Sequence, residues 1–202
     1  MKIICLSGHA GHGKDTAAQF LKDKLVSKGK SVIVTHYADL LKYMCKTFFN
    51  WDGEKDESGR TLLQHVGTDV IRMKRPNFWV KFLADVFDLF EGQWDYAIIA
   101  DCRFPNELSY LKDRGFDVIH VRVSREHYHS ELSKEQKKHL SETALDDIEP
   151  DALLVNDSIE QFKHEAEALA YDLLIENSVA ETKDKSYVQL SIFDDIPKTE
   201  GA

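Results

Sequence analysis

A glycine-rich loop set between an apolar run and an amphipathic segment constrains this chain more than any other feature. Gly8-His9-Ala10-Gly11-His12-Gly13-Lys14 fits the pattern G-x-x-x-x-G-K. Residues 2–7 before it read as a short buried strand. Thr16 to Lys28 after it carry Ala17, Leu21 and Leu25 at helical spacing, with Gly29 where a C-cap belongs. Glycines let the loop curl until its N–H groups point inward at phosphate oxygens. The helix N-terminus adds a partial positive charge, and Lys14 reaches the terminal phosphates of a nucleotide. Gly8, Gly11, His12, Gly13, Lys14, Asp15 and Thr16 are therefore the candidate nucleotide contacts. Asp15 stands where Ser or Thr is usual. A carboxylate beside a polyphosphate is repelled unless a cation intervenes, so Asp15 is a candidate Mg²⁺ ligand, directly or through water. The Thr16 hydroxyl is left for phosphate.

The remaining apolar runs extend this strand–helix start into an α/β pattern. Ser31–His36, Tyr96–Ala100, Asp117–Val123 and Ala152–Val155 read as further strands. Pro105 and Gly115 bracket a short helix, and Ser158 with Gln161 opens a last one with Phe162, Ala166, Leu169 and Leu173 on its inner face. Five apolar strands alternating with helices predict a three-layer fold, a five-stranded parallel sheet with helices on both faces and ligands beyond the strands' C-terminal ends.

About sixty residues separate the second and third strands, and three helical patterns fill them. Ala38–Phe49 is the first. Arg60–Met73 is the second, with Leu62, Leu63, Val66, Val70 and Met73 on one face. Asn77–Glu91 is the third, with Trp79, Phe82, Leu83, Val86, Phe87 and Phe90. The polar stretch Asp52–Gly59 reads as a mobile loop. Gly67 falls mid-helix, at a cost of about 1 kcal/mol against alanine unless something approaches closely; ligand approach and helix packing both explain it. A long insertion here suits an acceptor pocket, spanning about residues 38–92.

In Tyr37-Ala38-Asp39-Leu40-Leu41-Lys42, Leu62–Ile71, Phe78-Trp79-Val80-Lys81 and Asp101-Cys102-Arg103-Phe104-Pro105-Asn106-Glu107, the chain resembles the phage-type deoxynucleoside monophosphate kinases. The likeness continues through Val118–Val121, His139-Leu140-Ser141-Glu142 and Asn156–Glu160, covering roughly residues 2–176 in order. It implies a P-loop NTPase fold and transfer of the ATP γ-phosphate, with Mg²⁺, to a deoxynucleoside monophosphate. By the same resemblance Asp39, Arg60, Gln64, Asp69, Arg72, Trp79 and Arg103 line the acceptor side. Lys14, Asp101, Arg103 and Arg125 serve the transfer, and Asp101 joins Asp15 at the metal. Residues 124–146 then form a lid-like segment carrying Arg125, with Arg122 just ahead of it. His127 and His129 in that segment read as solvent-exposed.

The chain has 26 basic and 35 acidic residues, net −9, which argues against a broad nucleic-acid-binding face. Cys5, Cys45 and Cys102 are odd in number and far apart, so a disulfide framework is not expected. No apolar run approaches the ~20 residues of a membrane span, and the expected location is the cytoplasm, the host's if the gene is a phage's. Residues 1–177 read as one kinase domain and 178–202 as a flexible tail. Within the tail, Gln189-Leu190-Ser191-Ile192-Phe193 looks like a peptide that docks on a bacterial sliding clamp; a tail folded back on its own domain is the alternative. A homodimer is compatible with the chain. Two other functions fit the loop: a P-loop kinase with another small phosphorylated acceptor, and a nucleotide-binding accessory factor of replication.

Overall fold

β1 (Lys2–Ser7) is buried from Ile3 to Ser7, and its side chains alternate between two cores. Ile3 and Cys5 face one layer with Leu41, Trp79, Phe87 and Leu111; Ile4 and Leu6 face the other with Leu21, Leu25, Phe162 and Leu173. A strand that must satisfy helices on both faces has no polar side to show, which is why it reads as a continuous apolar run. The computed structural model describes residues 1–126, 128 and 132–193, with side chains described as far as residue 176.

The sheet is fully parallel, in the order β2-β3-β1-β4-β5. Its other strands are β2 (Val32–Thr35), β3 (Tyr96–Ile99), β4 (Asp117–Ser124) and β5 (Ala152–Val155). Ile4 sits between Ile98 of β3 and Ile119 of β4. The chain leaves β1 toward one edge and β4 toward the other, so a crevice opens where their C-terminal ends part. The glycine loop lies at that crevice.

α1 (Lys14–Ser27) and α8 (Ile159–Phe193) cover one face. α1 starts two residues earlier than periodicity alone predicts, because Gly13, at φ 102°, ends the loop directly against the first turn. The Ser158 Oγ accepts the Gln161 N–H at 3.3 Å, the cap expected for α8. The 178–202 tail and its Gln189–Phe193 peptide lie beyond the described side chains. Among the described residues no helix is long and apolar enough to cross a membrane.

On the other face lie α2 (Ala38–Phe48), α3 (Glu57–Gln64), α4 (Phe78–Leu89) and α5 (Pro105–Asp113). α3 begins inside the stretch expected as a loop, because Asp56 caps it by accepting the Gly59 N–H at 2.7 Å. It then continues as a π-helical segment, His65–Arg72. The wider turn rotates the following residues, so Ile71 packs in the core while Met73 is 77% exposed. On α4 the buried stripe is Trp79, Val80, Leu83, Ala84 and Phe87, leaving Phe82 and Phe90 exposed. Residue size had outweighed position there: Ala84 is small yet fully buried. Two short helices, α6 (Lys134–Lys138) and α7 (Leu140–Thr143), follow β4. His127 and His129 fall outside the described residues. The three cysteines are free and buried.

Candidate active site

The loop after β1 is held by contacts that exclude a side chain. A Cβ on Gly8 (φ 132°) would lie 2.2 Å from the Val123 carbonyl oxygen, so the loop rests directly on β4. At Gly13 a Cβ would meet Asn156 Nδ2 at 2.5 Å, and that amide donates to the His12 carbonyl at 2.9 Å. Asn156, just past β5, thus clamps the loop from the opposite strand. The Tyr128 ring packs on Gly11, edge-on to His12 with centroids 6.3 Å apart, and Arg125 sits 5.1 Å over that ring. Arg125 is exposed.

Lys14 folds onto its own loop, donating to the Gly8 carbonyl at 2.6 Å and the His9 carbonyl at 3.0 Å. Burial, aided by the nearby Arg103 charge, brings its pKa down to about 8. Thr16 lies in the first turn of α1.

Asp15 Oδ1 pairs with His36 Nε2 at 2.8 Å, and His36 Nδ1 pairs with Asp39 Oδ2 at 3.2 Å. Asp39 in turn accepts from Lys42 at 2.9 Å. The hydrogen bond that Asp15 accepts from His36 raises the His36 pKa and lowers that of Asp15. Asp101, past the end of β3, accepts the Tyr37 and Ala38 N–H groups at 2.8 and 2.9 Å and so fixes the start of α2. That positioning duty was not among the roles expected for it.

A cavity of about 180 Å³ opens between the loop, α2, α3 and the π-helical segment. Of the residues expected on the acceptor side, Arg60, Gln64, Arg72, Trp79 and Arg103 line it; Asp39 and Asp69 do not. Asp69 instead faces His65 and His139, at 3.4 and 3.5 Å, turned outward by the π-helical twist. Trp79 is 4% exposed and donates its indole N–H to the Gly67 carbonyl at 3.1 Å, so it is a wall of the core as well as of the cavity. Gly67 is explained by packing, since a Cβ there would meet Leu41 Cδ2 at 2.6 Å. Tyr37, Lys42, Lys55 and Glu107 also line the cavity, and the sequence reading gave none of them a role in the site. His36 and Lys42 could have been given one: the first ends a strand, the second lies a turn into the next helix, both at the strands' C-terminal rim.

Arg72 is already engaged. Its guanidinium bonds Glu107 Oε1 at 2.5 Å and lies 3.9 Å over the Phe104 ring. Glu107 is 1% exposed and also accepts the Arg103 and Phe104 N–H groups at 2.7 and 3.0 Å. Glu107→Ala leaves Arg72 and two amides without their partner, so a loss of about 3–5 kcal/mol is expected. Thermal melting reads this; a change under about 1 kcal/mol would mean water replaces the carboxylate.

Residues 27–165, more than half of the chain, match the family described as Deoxynucleotide monophosphate kinase. The chain belongs to that family. The kinase is 30% identical over 190 residues to a protein of Acanthamoeba polyphaga mimivirus that provisionally carries the same name, across 80% of this chain and 92% of that one. It is 33% identical over 110 residues to the deoxynucleotide monophosphate kinase of Enterobacteria phage T4, across 52% of this chain and 41% of the phage protein. Among solved structures, an APS kinase of Mycobacterium tuberculosis covers 86% of this chain and 96% of its own, with TM-score 0.45 and 18% identity. At that distance the sheet order above defines the kinase's fold.

Proposed function

We propose that the chain transfers the γ-phosphate of ATP to a deoxynucleoside monophosphate, with Arg103 at the point of transfer. One observation carries this. Arg103 lines both the acceptor cavity and a second cavity behind the phosphate loop, bounded by Gly8, His12 and Val123. Its charge also acts on Lys14 of the phosphate loop, so a group at that position can touch a phosphoryl group passing from the loop to the acceptor cavity. Arginine keeps its charge at any working pH and offers a planar fork to phosphate oxygens.

The reaction suits the groups present. An acceptor phosphate is already anionic near neutral pH, so no general base is needed; the work is to bring two anions into line and offset their charge. In a protein of net charge −9, the cations Lys14, Lys42, Lys55, Arg60 and Arg103 border this site. Arg60 and Lys55 supply charge at the acceptor phosphate, and Gln64 an amide for the base edge. Asp15, at the start of α1, and Asp101, past the end of β3, would hold Mg²⁺, directly or through water, beside the loop. Such an ion neutralises charge on the nucleotide phosphates. Phe104, Leu41 and Leu63 give the cavity its apolar walls.

The direct test is ADP release with ATP, Mg²⁺ and a panel of deoxy- and ribonucleoside monophosphates. ADP formation that depends on particular deoxynucleotides is the expected result. No turnover across the panel, with ATP still bound, would overturn the reading and point to another acceptor.

A further inference from the structure

Arg103, Ser141 and Glu142 are the residues common to the two cavities, and the ion pair of Arg103 with Glu142 stands between them. Glu142, on α7, accepts from Arg103 Nη1 with one carboxylate oxygen and from the Ala10 N–H of the phosphate loop, at 3.1 Å, with the other. Arg103 Nη1 also donates to the Ser141 carbonyl at 2.9 Å. Lys14 is close enough for its charge to act on Glu142 while its ammonium turns to the Gly8 and His9 carbonyls. Burial alone would raise the Glu142 carboxyl, yet Arg103 and the Ala10 N–H hold it below the usual carboxylate range.

A loop N–H, a guanidinium and a neighbouring lysine form the partner set that a phosphoryl group would take. Here a carboxylate has it. Carboxylate and phosphoryl oxygens have negative charge and acceptor geometry in common, and two anions cannot occupy one place in a half-buried site.

We propose that Glu142 is a positioning residue that stands in for the transferring phosphoryl group, holding Arg103 at the junction until substrate phosphate displaces it. This rests on the role given to Arg103 above. The guanidinium is kept aimed at the junction of the two cavities in the absence of nucleotide. Part of the nucleotide's binding energy is spent in moving the carboxylate, so removing its charge tightens binding.

Glu142→Gln is nearly isosteric and keeps an oxygen for Ala10. In the full chain, calorimetric titration with a non-hydrolysable ATP analogue, which carries the terminal phosphoryl group, should show binding about 3- to 10-fold tighter than in the parent, because the competent arrangement is no longer suppressed. Steady-state turnover should show a lower KM for ATP and a kcat reduced about tenfold, as Arg103 loses its fixed aim. A purely architectural role would instead weaken binding of the analogue along with the melting temperature. Affinity for the analogue unchanged or weaker, or kcat unchanged, overturns the proposal. Should Glu142→Gln fold poorly, Arg103→Ala with Glu142→Gln leaves neither charge orphaned. That double variant should bind the analogue more tightly than Arg103→Ala alone, and equal affinity overturns the proposal. If Arg103→Ala retains turnover, the function assigned to Arg103 fails, while the analogue titrations still report on Glu142.

Discussion

Lys14→Met lowers kcat by about three orders of magnitude and leaves the protein at least as stable as the parent. Both halves follow from where the ammonium sits. It is the cation of the phosphate loop, so its loss strips charge compensation from the transferred group. Before nucleotide binds, however, it lies buried against backbone carbonyls, with Arg103 nearby and its pKa down to about 8 from 10.5. A lysine whose folded pKa lies below its unfolded value takes up fewer protons when folded. Stability therefore rises with pH between about 8 and 10.5, by about 3 kcal/mol, and this rise is absent from Lys14→Met. The same titration shapes binding. Phosphate needs the charged form, so the ADP dissociation constant should be flat below pH 8 and climb up to about tenfold per unit above it. Titration calorimetry from pH 7 to 9.5 reads this directly; a flat profile across that range would assign phosphate binding to other groups.

Arg103→Lys is the second large effect, with kcat down about 10³-fold or more and KM for either substrate altered far less. The substitution keeps the charge but replaces a planar fork with a point, so what is lost is geometry at the transfer point. Rapid-quench measurement of one turnover separates this from slow product release. A variant retaining a tenth of the parental rate would place the transferred charge elsewhere. Glu142 makes lysine a fair replacement for folding, since its carboxylate keeps a cationic partner.

The phosphate loop was legible because everything that defines it is local. Strand, glycines and helix lie within the first 29 residues, and the two-core strand Ile3–Ser7 announces itself as an uninterrupted apolar run. Arg103 was legible for the same reason, standing just past a strand end. The partners of these residues were not. Glu142 meets Ala10 across 132 positions of sequence, and Asn156 meets His12 across 144; only the sheet order brings them together. His139-Leu140-Ser141-Glu142 could be recognised as a resemblance, but nothing in the string says that its glutamate reaches the loop. The helix that turns π-helical at His65 misled for another reason. Its residues satisfy a 3.6-residue period well enough to put Met73 on the buried face, and the wider turn instead exposes Met73 and packs Ile71 against the core; Asp69, placed on the acceptor side by the resemblance, faces His65 and His139. Asp101 carries a further duty that the string does not announce, its carboxylate accepting two backbone amides of α2.

The central position of β1 has a consequence for how the chain is made. It is synthesised before both of its neighbours, β3, beginning at Tyr96, and β4, beginning at Asp117. At 5–20 residues per second, about 6 to 20 s pass between the emergence of β1 and that of its second neighbour. Until β3 emerges Ile3-Ile4-Cys5-Leu6 has both strand edges unpaired, and the edge that β4 will cover stays open to the end of the interval. The strand that carries the phosphate loop is thus completed late on the ribosome, and a holding chaperone would find its client in Ile3-Ile4-Cys5-Leu6.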